Sequence, residues 1–118
     1  MKIRIKGDTI RLRLSQTEVD EIAQLKPVIE TTHFAASELR YCLTTHEKSA
    51  TQAVFENNQI TVYINCDIAK QWASTDQVGI ETDSSVTPSV LVEKDFQCLT
   101  VREGEDESDL FTNPNTSC

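Results

Sequence analysis

The sequence predicts an α+β fold: a bent, mainly antiparallel sheet of about seven to nine strands that can curl into a partial barrel, with one capped helix and one short helix covering its apolar face. Three observations carry that prediction. Apolar residues alternate with polar ones over many short segments, which is the period of a half-buried strand. Two of these segments are joined to their neighbours by two-residue turns of hairpin type. Helix-period stripes occur only twice, each behind a capping residue.

The first hairpin comes from Lys2 to Lys6 and Thr9 to Leu14. Gly7 between them supplies the positive φ that a tight hairpin turn demands at its first position. Ile3, Ile5, Ile10, Leu12 and Leu14 then share one face, and Lys2, Arg4, Lys6, Arg11 and Arg13 share the other. Ser15-Gln16-Thr17-Glu18 reads as a capping box, with Leu14 and Val19 placed as its hydrophobic staple. The helix is expected from Gln16 to about Lys26, with Val19, Ile22 and Ala23 inward, and Pro27 as its stop. Val28 to Phe34 and Leu39 to Thr45 form a second hairpin across Ala35 to Glu38. Thr51 to Glu56 and Gln59 to Asn65 form a third across Asn57-Asn58, a pair that tolerates the left-handed conformation twice. Pairing across that turn sets Thr51, Ala53 and Phe55 beside Ile64, Val62 and Ile60, so the apolar faces agree.

Asn65 caps a short helix from Cys66 to Ser74, in which Ile68, Ala69 and Trp72 form the buried stripe and the sole tryptophan serves the core. Val78 to Thr82, Ser89 to Glu93 and Phe96 to Val101 read as three further strands, separated by the polar loop Asp83 to Pro88 and a tight Lys94-Asp95 connection. Periodicity stops after Arg102. The expected organisation is one domain over residues 1–102 and an acidic tail over 103–118, partly docked through Leu110 and Phe111. No internal repeat or heptad is visible.

Charge divides the chain unevenly. Met1 to Leu14 carries five bases against Asp8 alone, a balance of +4, and the remaining residues balance to −12, which together give the net −8 of the chain. Overall acidity argues against generic nucleic-acid binding, which depends on neutralising phosphates. The cationic face of the first hairpin escapes that objection, because alternating bases on two paired strands focus positive potential. Lys2, Arg4, Lys6, Arg11 and Arg13 are therefore the candidate anion site. The bland alternative is that they face solvent or pair with the chain's own acids. The acids Glu103, Glu105, Asp106, Glu107 and Asp109 invite such pairing by a tail folded back across the hairpin.

Other chemistries have less support. Cys98, Asp106, Asp109 and Cys118 are weak metal candidates, since their spacing lacks the close ligand pairs of zinc sites and the glycine of a calcium loop. Cys42, Cys66, Cys98 and Cys118 contain no C-x-x-C pair and, without a secretory signal, are expected to be free thiols. His33 is an expected strand residue and His46 an expected loop residue, neither with an orienting partner for nucleophilic catalysis. Three glycines are too few for a phosphate-cradling loop. No apolar run approaches the length of a membrane span. No cofactor is implied.

The segments MKIRIKG and IRLRL with S-x-T-E-V, the middle FENNQITVYI and WASTDQVG, and the closing VEKDFQCL with EDESD and NPN resemble a family of small uncharacterised bacterial proteins, a domain of unknown function frequent in Bacteroidota. The resemblance runs from Met1 to Asn115 and implies a free-standing domain. It brings no activity, ligand or catalytic residue. The function expected is that of a small cytoplasmic, non-enzymatic binding or interaction module for another protein or a small anion. The alternative is an anion or phosphate-ester binding protein, in its enzymatic version a metal-dependent hydrolase, that uses the basic hairpin face.

Overall fold

The computed structural model describes residues 1–97 and 108–112. In chain order these form β1 (Lys2–Lys6), β2 (Thr9–Leu14), α1 (Gln16–Ala23), β3 (Val28–His33), β4 (Glu38–His46), β5 (Gln52–Glu56), β6 (Gln59–Asn65), α2 (Cys66–Ser74), β7 (Gly79–Glu81) and β8 (Ser89–Lys94). The eight strands do not make one bent sheet. They form two four-stranded sheets, ordered β1-β2-β8-β7 and β3-β4-β6-β5, and neither closes into a barrel. In each sheet the outer pairs are antiparallel and the central pair is parallel, β2 with β8 and β4 with β6.

Local rules account for the elements. Gly7 takes φ +53° in the first turn, and Asn57 and Asn58 take +51° and +60° in the third, which only glycine and short polar residues adopt readily. Ala53 faces Val62 and Phe55 faces Ile60, as the turn requires, while Thr51 lies just outside β5. The capping box forms: the Ser15 hydroxyl accepts from the Glu18 amide, and the Glu18 carboxylate accepts from the Ser15 amide. The helix ends at Ala23, short of Lys26. Leu25 turns left-handed at φ +62°, and the amides of Leu25 and Lys26 return to the carbonyls of Ile22 and Glu21. That closing motif stops the helix before Pro27 is reached.

α2 has the expected bounds, and the Asn65 side chain accepts from the amides of Asp67 and Ile68. Ala69 and Trp72 are fully buried, but Ile68 is exposed. The Trp72 indole N–H donates to the Val78 carbonyl at 3.0 Å. β7 is shorter than Val78 to Thr82, and His46 belongs to the end of β4, where it stacks on Tyr63, and not to a loop. The expected strand from Phe96 is represented by one isolated bridge, Phe96 with Phe111, and its remainder lies outside the described residues.

The inner faces of the two sheets share a core. Leu12, Leu14, Leu43, Val62, Ile64 and Val92 are fully buried in it, together with Ile22, Ala69 and Trp72 of the helices. α1 and α2 leave the ends of β2 and β6 and pack on each other.

An internal repeat, invisible in the sequence, organises residues 2–94. β1-β2-α1-β3-β4 and β5-β6-α2-β7-β8 have the same ββαββ order, and exchanging one for the other converts the first sheet into the second. The two caps, Ser15 and Asn65, stand 50 positions apart, the same interval that separates Leu14 from Ile64 and Ile22 from Trp72. Each unit sends its first hairpin to one sheet and its second to the other. Neither unit can therefore complete a sheet by itself.

Candidate anion-binding site

The cationic face survives folding as the outer face of the first sheet. Across β1 and β2 the register sets Lys2 opposite Arg13, Arg4 opposite Arg11 and Lys6 opposite Thr9. Facing residues in a ladder project to one side of the sheet, so all five bases share it. The parallel partner β8 adds Ser89, Leu91 and Glu93 to these rows, and β7 adds Glu81 opposite Leu91.

Folding divides the five bases into two groups. Arg13 donates to Glu93 through Nε at 2.8 Å, Arg11 approaches the same carboxylate at 3.5 Å, and Lys2 pairs with Asp95 at 2.9 Å. Arg4 and Lys6 have no ion-pair partner among the described residues. With Arg11 they line a depression of about 290 Å³ completed by Thr9, Ser89, Leu91 and Glu81. A second, smaller hollow of about 70 Å³ lies among Lys2, Arg4, Arg11 and Arg13. The bland alternative thus holds for Lys2, Arg11 and Arg13, and leaves a residual cationic hollow around Arg4 and Lys6. A guanidinium and an ammonium side by side can hold a phosphate or carboxylate, the first by paired hydrogen bonds and the second as a point charge.

Sequence reasoning missed Glu81, Ser89, Leu91 and Glu93 as parts of this face. They reach it through the parallel β2–β8 pairing, for which no turn or local pattern gives a signal.

Asp109, the described member of the acidic cluster, docks on α1. The Asp109 carbonyl accepts from the Gln16 amide at 2.9 Å, and its carboxylate accepts from the Thr17 amide and hydroxyl. The Gln16 side chain donates to the Leu110 carbonyl, and Phe111 packs against the core beside Phe96 and under the Lys94 ammonium. Phe111 is thus the apolar anchor, but Asp109 sits on the first turn of α1, where exposed amides and the helix dipole favour an anion, and not on the hairpin. Glu103, Glu105, Asp106 and Glu107 lie outside the described residues.

Of the four metal candidates, Asp109 is engaged at α1, and Cys98, Asp106 and Cys118 lie outside the described residues. No group of three or more His, Cys, Asp or Glu side chains converges among the described residues. Cys42 and Cys66 are free thiols. Burial pushes the Cys42 thiol up, away from the reactive thiolate form. His33 lies 3.6 Å from Glu38 on an exposed edge, and the His46 ring nitrogen meets the Ala50 carbonyl. Neither histidine has a hydroxyl or thiol hydrogen-bond partner among the described residues.

Fold and site together define a small two-sheet α+β domain with an internal ββαββ repeat and one cationic outer face. Over residues 1–115 the chain matches a family of unknown function, DUF7009, and it belongs to that family. No curated protein and no solved structure matches it. No helix among the described residues is long and apolar enough to cross a membrane.

Proposed function

We propose that this protein is a non-enzymatic binding module whose site is the hollow around Arg4, Lys6 and Arg11, and whose ligand presents a compact anion of the phosphate-ester type. The observation that carries the reading is the pair Arg4 and Lys6, which line a concave surface without an ion-pair partner among the described residues while Lys2, Arg11 and Arg13 share the two carboxylates of Asp95 and Glu93. Two like charges held together on a sheet lose part of their mutual repulsion when an anion sits between them, so the hollow favours such a ligand. Its position on an outer sheet face, with Glu81 as the single carboxylate of its lining, supports binding over hydrolysis. A hydrolase of this kind asks for an enclosed site in which several carboxylates hold a metal beside the phosphate.

Titration calorimetry with tripolyphosphate tests the reading. Binding should weaken by about tenfold or more on the double change Arg4→Gln and Lys6→Gln, equivalent to ~1.4 kcal/mol. Arg13→Gln, which removes a base already paired with Glu93, should change it less. Equal losses from both variants, or the absence of binding, would overturn the proposal.

A further inference from the structure

The outer face of the first sheet is laid out in rows that run across its strands, and two neighbouring rows place their acid differently. One row is Lys2, Arg13, Glu93 and Gly79; the next is Arg4, Arg11, Leu91 and Glu81. In the first, the acid stands on the strand beside Arg13, and the two pair at 2.8 Å. In the second, Leu91 takes that place and the acid stands one strand further out. Neighbouring strands lie about 4.8 Å apart, so the Glu81 Cα is about 10 Å from that of Arg11 and about 14 Å from that of Arg4. Arg11 turns to Glu93 instead. Glu81, like Arg4, has no ion-pair partner among the described residues.

β1 and β7 are the two edges of this sheet. The second row therefore holds an unpaired base at one edge, an unpaired acid at the other and an apolar side chain between them. All four of its residues line the depression of about 290 Å³, together with Lys6, Thr9 and Ser89 of the row beside it. Asp8, in the turn after Lys6, is not part of that lining. The volume stands at the lower end of the range for small-molecule sites.

A lone phosphate on Arg4 and Lys6 would leave Glu81 without a partner and would meet its negative field. A ligand that also carries an amine satisfies both ends of the row. Its phosphate takes the guanidinium of Arg4 and the ammonium of Lys6, its carbon chain lies on Leu91, and its ammonium donates to the Glu81 carboxylate. Building on the anion site proposed above, we infer that the ligand is a phosphate ester bearing a primary amine, and that Glu81 selects for the amine.

Titration calorimetry with O-phosphoethanolamine and with ethyl phosphate, which lacks only the amine, tests the inference. The wild type should bind the amine-bearing ester about threefold more tightly or better, the scale of an exposed ion pair. Glu81→Gln should abolish that preference while binding tripolyphosphate at least as tightly as the wild type. Glu56→Gln, on the other sheet, should leave the preference intact. Co-sedimentation with vesicles separates the two sources of this chemistry. Binding of the free ester without retention on vesicles makes the ligand a soluble molecule. Retention on phosphatidylethanolamine but not phosphatidylcholine vesicles, lost in Glu81→Gln, makes it a lipid headgroup and supports the same role for Glu81. Equal affinity for the two esters without such retention, or a preference that survives Glu81→Gln, would overturn the inference and leave the anion site standing on its tripolyphosphate binding. A wild type that binds neither tripolyphosphate nor either ester would overturn both.

Discussion

The two ββαββ units of this chain share strand order, the position of their first turn, helix N-caps and core pattern, and yet their surfaces diverge. Along the outer face of the first hairpin stand Lys2, Arg4, Lys6, Arg11 and Arg13; at the equivalent positions of the third hairpin stand Gln52, Val54, Glu56, Thr61 and Tyr63. The seams between the sheets diverge as well. At one, the Met1 ammonium is held by Glu18 and by Glu30 at 3.0 Å. At the other, the equivalent positions Thr51 and Ile68 line an open recess of about 420 Å³. The inner positions keep their apolar character because both units fill one shared core. The outer positions are free of that constraint, and chemistry can be written on them without cost to the fold.

The largest test of the shared core is at its equivalent helix positions. Trp72→Ala should cost ~3–5 kcal/mol and Ile22→Ala ~2–5 kcal/mol, the scale for truncating buried side chains of these sizes. Both residues are fully buried, and each sheet contains strands from both units, so denaturant unfolding should remain a single transition in both variants. Separate transitions for the two units would break the comparison.

The caps come next. Ser15→Ala and Asn65→Ala should each lower stability by ~1 kcal/mol, read as a shift of the denaturation midpoint at constant slope. A loss confined to one of them would mean that the two helix entries are not equivalent.

The seam contrast predicts a smaller, pH-dependent effect. Burial opposes the charge on the Met1 amine, but the hydrogen bonds it donates to the Glu18 and Glu30 carboxylates and their negative charges outweigh it, leaving the group raised above its ordinary 8.0. A group raised on folding contributes its full stability below the unfolded value and loses it as pH climbs through the folded one. Thermal stability should therefore decline above about pH 8, and Glu30→Gln should flatten that decline. An identical pH profile in the variant would remove the amine from the account.

Much of this architecture is local and could be read directly. The Gly7 and Asn57-Asn58 turns, the Ser15 and Asn65 caps and the alternation of the first hairpin each depend on residues within a few positions of one another. The division into two sheets could not be read, because it rests on the parallel pairs β2–β8 and β4–β6, which no turn announces. The repeat was hidden for a different reason: equivalent positions such as Leu14 and Ile64, Ile22 and Trp72, or Gly7 and Asn57 satisfy the same physical demand with different residues. The five bases of the site were legible as a stripe. Their division into members that are paired and members without an ion-pair partner among the described residues was not, since Glu93 and Asp95 arrive from or just beyond β8. For Asp109, charge alone points to the wrong partner. Asp109 finds the amides of α1, a directional partner, where the hairpin offers screened charge.

The central claim is that one of two equivalent outer faces binds an anion and the other does not. Backbone chemical-shift mapping during titration with tripolyphosphate tests it most directly. The account predicts saturable shifts at Arg4, Lys6, Arg11 and Leu91, with the equivalent positions Val54, Glu56, Thr61 and Cys42 unmoved. Shifts of similar size on both faces, or none on the first, would contradict it.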